Sequence, residues 1–384
     1  MFLGRRRSAF DKMTGHLFNF GAIVQFFRRH FNRENPNMPL IVGLLLLASL
    51  VTVIWATGFG SYTVEADTTA RILTVKLAGL VGFDTGVTPD WKPLEEGIVW
   101  GLRFPRTLLG FVVGASLAVC GVTMQALVKN PLADPFLLGV SSGAAAFATF
   151  GIIFGFFSFL GAYALSLSAF LGAAMTITLV YILSRVKGRI NITHLLLAGV
   201  ALAMIMDGFT SIIKISAPNA LGIHHAEFWM AGSLAGAKWS FLTLPTAVLI
   251  VTTGWLMLNY RALNLLVLGD ESARVLGLNV ELFQKLLVLV ASLIAGVTIA
   301  VSGTIGFVGL MVPHFTRILV GGDHRRVLPI SALLGGILVV WVDVVARTMA
   351  APEEIPVGIL TAVIGGPIFI FLMKRSKRFQ HDRS

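Results

Sequence analysis

Arg103 and Arg106 stand three residues apart, so a helix would carry both guanidiniums on one face, with Pro105 in the first turn where its missing N–H costs least. A guanidinium is a planar fork of donors suited to carboxylates, and Arg347 supplies a third late in the chain. The plainer use of such arginines is snorkelling to lipid headgroups, or, for Arg347, a pair with Asp343 one turn earlier. Asp207 and Lys214, two turns apart on one helical face, are placed to pair with each other or to face a wet pathway. His224 and His225 share an expected loop with Glu227. Other chemistry is missing from the sequence. It has no GxxxxGK[ST] phosphate loop, no HExxH and no CxxC, so no metal or catalytic residue is assigned and any ATP hydrolysis belongs to another polypeptide. Gly139, Ser141 and Gly143 satisfy GxSxG, but a nucleophile elbow needs a strand–turn–helix and this run opens an apolar helix. The lone Cys120 excludes an intramolecular disulfide and reads as a small core residue.

The elements that must position these residues are membrane spans. Charged residues are 13% of the chain against 56% hydrophobic, with a mean hydropathy of +0.83, whereas a soluble domain carries roughly 25% charged residues. Apolar windows long enough to cross a hydrocarbon core of about 30 Å fall near 38–58, 106–127, 136–157, 160–184, 193–215, 240–259, 283–302, 304–321, 327–350 and 357–373. The fold class is therefore all-α, polytopic, with about ten transmembrane helices. The 304–321 member is expected to be short or broken, since TIGFVGLMVPHF is rich in glycine and holds Pro313. Gly110 with Gly114, and Gly151 with Gly155, have the GxxxG spacing that lets helices approach closely in lipid.

Basic residues set the orientation. Arg5, Arg6, Arg7, Lys12, Arg28, Arg29 and Arg33, the Arg185–Arg189 turn, Arg325 with Arg326, and the 374–378 tail alternate correctly to share the cytoplasmic side, which puts both termini there. The net charge of +11 then reflects anchoring to the inner leaflet. It forms no single stripe, so nucleic acid is not an expected partner. Arg103, Arg106 and Arg347 fall on the outer lip, against the orientation rule. Residues 1–37 form a basic cytoplasmic leader in which HLFNFGAIVQFFRRHF suits an interfacial helix, and 376–384 form a basic tail. Between them, 38–375 is the ten-helix domain, with 59–102 as an external loop and 261–282 as a cytoplasmic connection. Within that connection Gly269 and Gly277 bracket a short helix, Asp270–Leu276, whose leading acids and trailing Arg complement its dipole. Seven apolar residues in 263–268 and 275–276 would be exposed to cytosol unless a partner covers them. The turn VKNPLADP (128–135) is fixed by Pro131 and Pro135, with Asn130 and Asp134 available to bond it.

Eight segments occur in a recognisable order: RFPR (103–106), GVTMQALVKNPLADPFLLGVSSGA (121–144), LLLAGVAL (195–202), FWMAGSLAG (228–236), LNLLVLGDESARVLGLNV (263–280), SGTIGFVGLMVPHFTR (302–317), DVVAR (343–347) and IPVGILTAVIGGPIFIFLMKR (355–375). Together they resemble the iron–siderophore and cobalamin ABC importer permease family, from about residue 40 to the carboxyl end. The resemblance implies a permease that dimerises, as a homodimer or heterodimer, receives substrate from an external binding protein and couples to two cytoplasmic ATPases. It implies docking of binding-protein acids at Arg103, Arg106 and Arg347. It implies ATPase coupling through Leu268, Gly269, Asp270, Glu271, Ala273, Arg274, Leu276 and Gly277, and gating near Asn130, Leu132, Asn191 and Thr193. The expected cargo is an iron chelate, a ferric siderophore first, with haem or cobalamin as alternatives, moved across a bacterial plasma membrane by alternating access. No cofactor is expected on this chain, since ATP and Mg would sit on the partner ATPase. An ion-coupled secondary transporter is the competing reading; it would use a buried Asp207 or Asp343 and need no coupling segment or docking arginines.

Overall fold

The computed structural model describes residues 38–80, 82–86, 89–186 and 189–381, so the 1–37 leader and the last three residues of the tail lie outside the described residues. Among the described residues, seven helices are long and apolar enough to cross a membrane: Met38–Gly58, Pro93–Val128, Ala164–Leu183, Ile192–Ile215, Trp239–Leu258, Val280–Ser302 and His324–Thr348. Three shorter apolar helices, Val140–Phe154, Val308–Val320 and Val357–Ile370, bring the number to ten. Each coincides with one of the ten apolar windows. The strands among the described residues are a single two-residue hairpin, Arg185–Val186 paired antiparallel with Arg189–Ile190.

Helix Phe104–Val128 occupies the centre of the bundle, with every residue buried except Leu108, Phe111 and Val128. In lipid, burial of apolar surface does not drive helices together, because acyl chains are as apolar as leucine; close backbone approach does. The central helix achieves it with glycine. A Cβ on Gly114 would strike the carbonyl of Gly335 on helix His324–Thr348, and one on Gly121 would strike the carbonyl of Gly309 on helix Val308–Val320. Of the second expected glycine pair only Gly151 packs, against Ser168; Gly155 faces open space and instead ends helix Val140–Phe154 with φ +67.

The seventh and eighth spans are interrupted as the glycine-rich stretch foretold: 303–307 is non-helical between Gly303 (φ +64) and Phe307 (φ +65). Backbone freed inside a bilayer needs partners within the protein. Here Ser233 N donates to Ser302 O at 2.9 Å, Gly358 N donates to Gly232 O at 3.2 Å, and the Thr304 hydroxyl donates to Met230 O.

Three connections hold more structure than expected. The 59–102 connection contains helix Ala66–Leu80, whose Ile72 and Leu73 pack with Val53, Val64, Val99 and Phe104, and its end is already helical from Pro93 through a π-helical turn, Gly97–Arg103, into the central helix. The outer loop assigned to His224 and His225 is helix Ala220–Met230, capped by Asn219 Oδ1 accepting Gly222 N at 2.8 Å. The 261–282 connection forms two short helices, Tyr260–Val267 and Asp270–Val275, separated by Gly269 at φ +110.

Candidate functional site

The three arginines, distant in sequence, meet in one pocket of about 280 Å³ at the amino end of the central helix, lined also by Gly60, Ser61, Tyr62 and Glu354. None is a free surface charge: Arg103, Arg106 and Arg347 are 6%, 9% and 3% exposed. Arg106 grips Asp343 through Nε (3.0 Å to Oδ1) and Nη2 (2.8 Å), and its Nη1 lies 2.9 Å from both oxygens of Glu354. One guanidinium thus donates to two carboxylates at once, Nε and Nη2 to Asp343 and Nη1 to both oxygens of Glu354. Asp343, itself 1% exposed, is shared with Arg347, whose Nε stands 3.4 Å from Oδ2. Arg347 Nη2 donates to Ala56 O at 2.9 Å, while Nη1 is buried without a hydrogen-bond partner among the described residues. Arg103 donates to Gly58 O at 3.0 Å and to Tyr62 O, so the strap that follows the first span closes over it. Three guanidiniums thus face two carboxylates, one positive charge in excess. Beside them Trp100 stacks on Phe104 and Trp239 tilts against both, with centroids 4.8 to 5.7 Å apart, as aromatic rings gather at a membrane interface.

At the far end of the same helix lies the 260–277 connection. Its apolar residues divide. Leu263 and Leu266 are fully buried against the bundle, which corrects the expectation that the whole set needs an external cover. Val267, Leu268, Val275 and Leu276 remain 49%, 65%, 87% and 60% exposed. Among the other expected coupling residues, Ala273 is buried, Glu271, Arg274 and Gly277 are exposed, and Gly269 and Asp270 are half-buried. Asp270 receives Lys129 Nζ at 2.7 Å and Gln284 Nε2 at 3.3 Å on the same Oδ1. Asn264 ties the first short helix to the foot of helix His324–Thr348, donating to Asp323 Oδ1 at 2.8 Å and accepting His324 N at 3.0 Å. Burial raises the Asp323 carboxyl, but the Asn264 amide, the Arg325 N–H and the neighbouring Arg326 and His324 together hold it below the usual range.

The expected gate residues fall on two separate turns. Asn130 is exposed and its Oδ1 accepts Leu132 N at 3.0 Å, so the side chain shapes the turn. Asn191 caps helix Ile192–Ile215 by accepting His194 N at 3.1 Å, with Thr193 exposed beside it. Within the first turn Asp134 caps Pro135–Leu138 through Phe136 N at 2.8 Å; burial pushes its carboxyl up to about 6, partly offset by that N–H. Lys214 pairs with Glu227 at 3.2 Å and not with Asp207, because helix Ala220–Met230 folds back onto it while Asp207 lies two turns, roughly 10 Å, along the axis. Cys120 is a core residue, its thiol 3.3 Å from Ala291 O. Ser141 stands in the first turn of helix Val140–Phe154, outside any strand–turn–helix setting.

Sequence reasoning named the arginines but not Glu354, and named Asp270 but not Lys129. The available signals were the acidic Glu353–Glu354 step on the side expected for the arginines, and a lysine on the side expected for Asp270.

Comparison with known proteins decides the class. The profile of the FecCD transport family matches residues 21–375. The chain belongs to that family. The hemin transport system permease protein HmuU of Yersinia pestis is 42% identical over 80% of this chain and 93% of its own length. The vitamin B12 import system permease protein BtuC of Salmonella arizonae is 40% identical over 80% and 92%. Among solved structures, an inward-facing conformation of an ABC transporter described as of metal-chelate type superposes with a TM-score of 0.75 at 30% identity, covering 88% of this chain and 99% of that one. The chain is a multi-pass membrane permease of the ABC importer class, whose members pair with a second permease and with ATPases. The ion-coupled alternative falls with that membership; Asp343 is spent on Arg106 and Arg347.

Proposed function

We propose that this permease takes an iron chelate, a ferric siderophore first, from an external binding protein and delivers it to the cytoplasm of a bacterium by alternating access, without hydrolysing ATP itself. One observation carries the reading: the central helix bears the arginine pocket at its amino end and the Asp270 pair at its carboxyl end, 25 residues apart, about 37 Å at 1.5 Å per residue. An importer must be addressed on one face and driven on the other. The excess guanidinium charge suits an incoming carboxylate from a binding protein, which would compete with Glu354 for Arg106. Val267, Leu268, Val275 and Leu276 offer the ATPase an apolar knob. Arg325 and Arg326 follow Asp323, which Asn264 of the connection contacts, and this supports a cytoplasmic position for the knob. The turns at Asn130–Leu132 and Asn191–Thr193 are the inner gate. Hemin is the second reading of the cargo, favoured by the 42% identity to HmuU.

Reconstituted with its ATPase and binding protein, the permease is expected to accumulate ferric siderophore only when ATP is supplied. Leu268→Asp with Leu276→Asp should cut ATPase co-purification on the order of 30-fold, as loss of a buried hot spot does, without lowering the melting temperature. Undiminished capture would remove the coupling assignment, and hemin uptake in place of siderophore uptake would establish the second reading.

A further inference from the structure

The central helix ends on Lys129, which adopts φ +56, ψ 32 and donates its N–H to Gln125 O. A lysine in this left-handed conformation is unusual, since its Cβ crowds the following carbonyl and glycine normally takes the place. What the side chain gains there is a partner: Nζ reaches Asp270 Oδ1 at 2.7 Å. Asp270 opens the short helix Asp270–Val275, and the buried Gln284 holds the same oxygen from helix Val280–Ser302 at 3.3 Å. On its other side Lys129 is joined directly to the turn at Asn130, whose N–H returns to Gln125 O at 3.2 Å and whose Oδ1 fixes Leu132 N. One residue therefore touches the short helix through its side chain and the turn through its backbone. Other attachments of this connection lead elsewhere: Asn264 to Asp323 and His324 at the foot of helix His324–Thr348, Arg274 to Glu281 of helix Val280–Ser302 at 3.8 Å, and Leu263, Leu266 and Ala273 into the core.

We propose that the Lys129–Asp270 ion pair is the link through which displacement of helix Asp270–Val275 reaches the 129–135 turn, making Lys129 a positioning residue for the inner gate. This rests on the reading of that helix as the ATPase contact. Pulling Asp270 draws Nζ with it, and because Lys129 is the last residue before Asn130 the motion enters the turn through a single side chain. The pair is half-exposed, with side chains 24% and 35% accessible, so its static contribution to stability is small while its geometric role persists.

The test uses the assembled transporter in proteoliposomes and reads chelate transported per ATP hydrolysed. Lys129→Glu is expected to lower that ratio about 10-fold, within the range that coupling free energies between sites produce, while the ATPase still co-purifies. Lys129→Arg should keep the ratio. Joined with Asp270→Lys, Lys129→Glu should recover to within about threefold of the parent, which ties the ratio to the pair itself; an unchanged melting temperature in Lys129→Glu separates this from a loss of stability. Should Lys129→Glu fail to assemble, Lys129→Met reads the same ratio without setting two carboxylates together. An unchanged ratio in Lys129→Glu or Lys129→Met, or a reciprocal pair no better than Lys129→Glu alone, overturns the link. Failure of Leu268→Asp with Leu276→Asp to release the ATPase would instead overturn the underlying reading of the helix.

Discussion

The two ends of helix Phe104–Val128 present opposite solutions to recognition. At the amino end, charge is concentrated and hidden: Arg103, Arg106 and Arg347 lie under the 58–62 strap, answered by Asp343, Glu354 and backbone carbonyls. At the carboxyl end, apolar side chains are displayed among surface charges, with Val275 and Leu268 at 87% and 65% exposure beside the partly exposed Lys129–Asp270 and Arg274–Glu281 pairs. Buried charge gives specificity and a large penalty for mismatch, whereas a displayed apolar knob gives adhesion that survives small shifts in geometry. A substrate-delivering partner that must come and go suits the first, and a motor that stays bound suits the second.

Removing Asp343 breaks this contrast most severely. Asp343→Asn leaves Arg106 and Arg347 buried around a neutral group, and a buried pair stripped of one member loses about 3–5 kcal/mol, so folded yield and melting temperature in detergent should fall sharply. A stable Asp343→Asn protein would mean that the arginine end is wetter than its 1% exposed carboxylate indicates. Glu354→Gln sharpens the contrast with a smaller effect. Glu354 is 29% exposed and acts as an internal counter-ion, so its neutralisation should tighten binding-protein association roughly 3- to 10-fold at low salt and less at high salt, as electrostatic association does. Weaker association in Glu354→Gln, measured by surface binding at two ionic strengths, would show that the glutamate assists docking.

Legibility followed the range of the interaction. The ten spans are written in local apolarity, and the interrupted 303–307 stretch in its glycines, so both could be read directly. Helix Ala66–Leu80 was missed because its apolar face is narrow and Asp67, Arg71 and Lys76 dilute it to the level of a loop. The arginines were visible as residues out of place on the outer side, but their burial was not: the Arg106 contacts with Asp343 and Glu354 span 237 and 248 positions, and no local pattern encodes them. The exposed apolar knob of the 260–277 connection was half legible. Sequence showed apolar residues without a cover, and only packing shows that Leu263 and Leu266 face the core while Leu268 and Leu276 face away.

The arginine pocket and the Asp270 helix are expected on opposite faces of the membrane. Because the only cysteine, Cys120, is buried, single reporters at exposed positions can be introduced as Glu353→Cys and Ser272→Cys and challenged with a membrane-impermeant thiol reagent in sealed vesicles lacking the ATPase. Right-side-out vesicles are expected to label Glu353→Cys alone and inverted vesicles Ser272→Cys alone. Labelling of both reporters from one side would contradict the account.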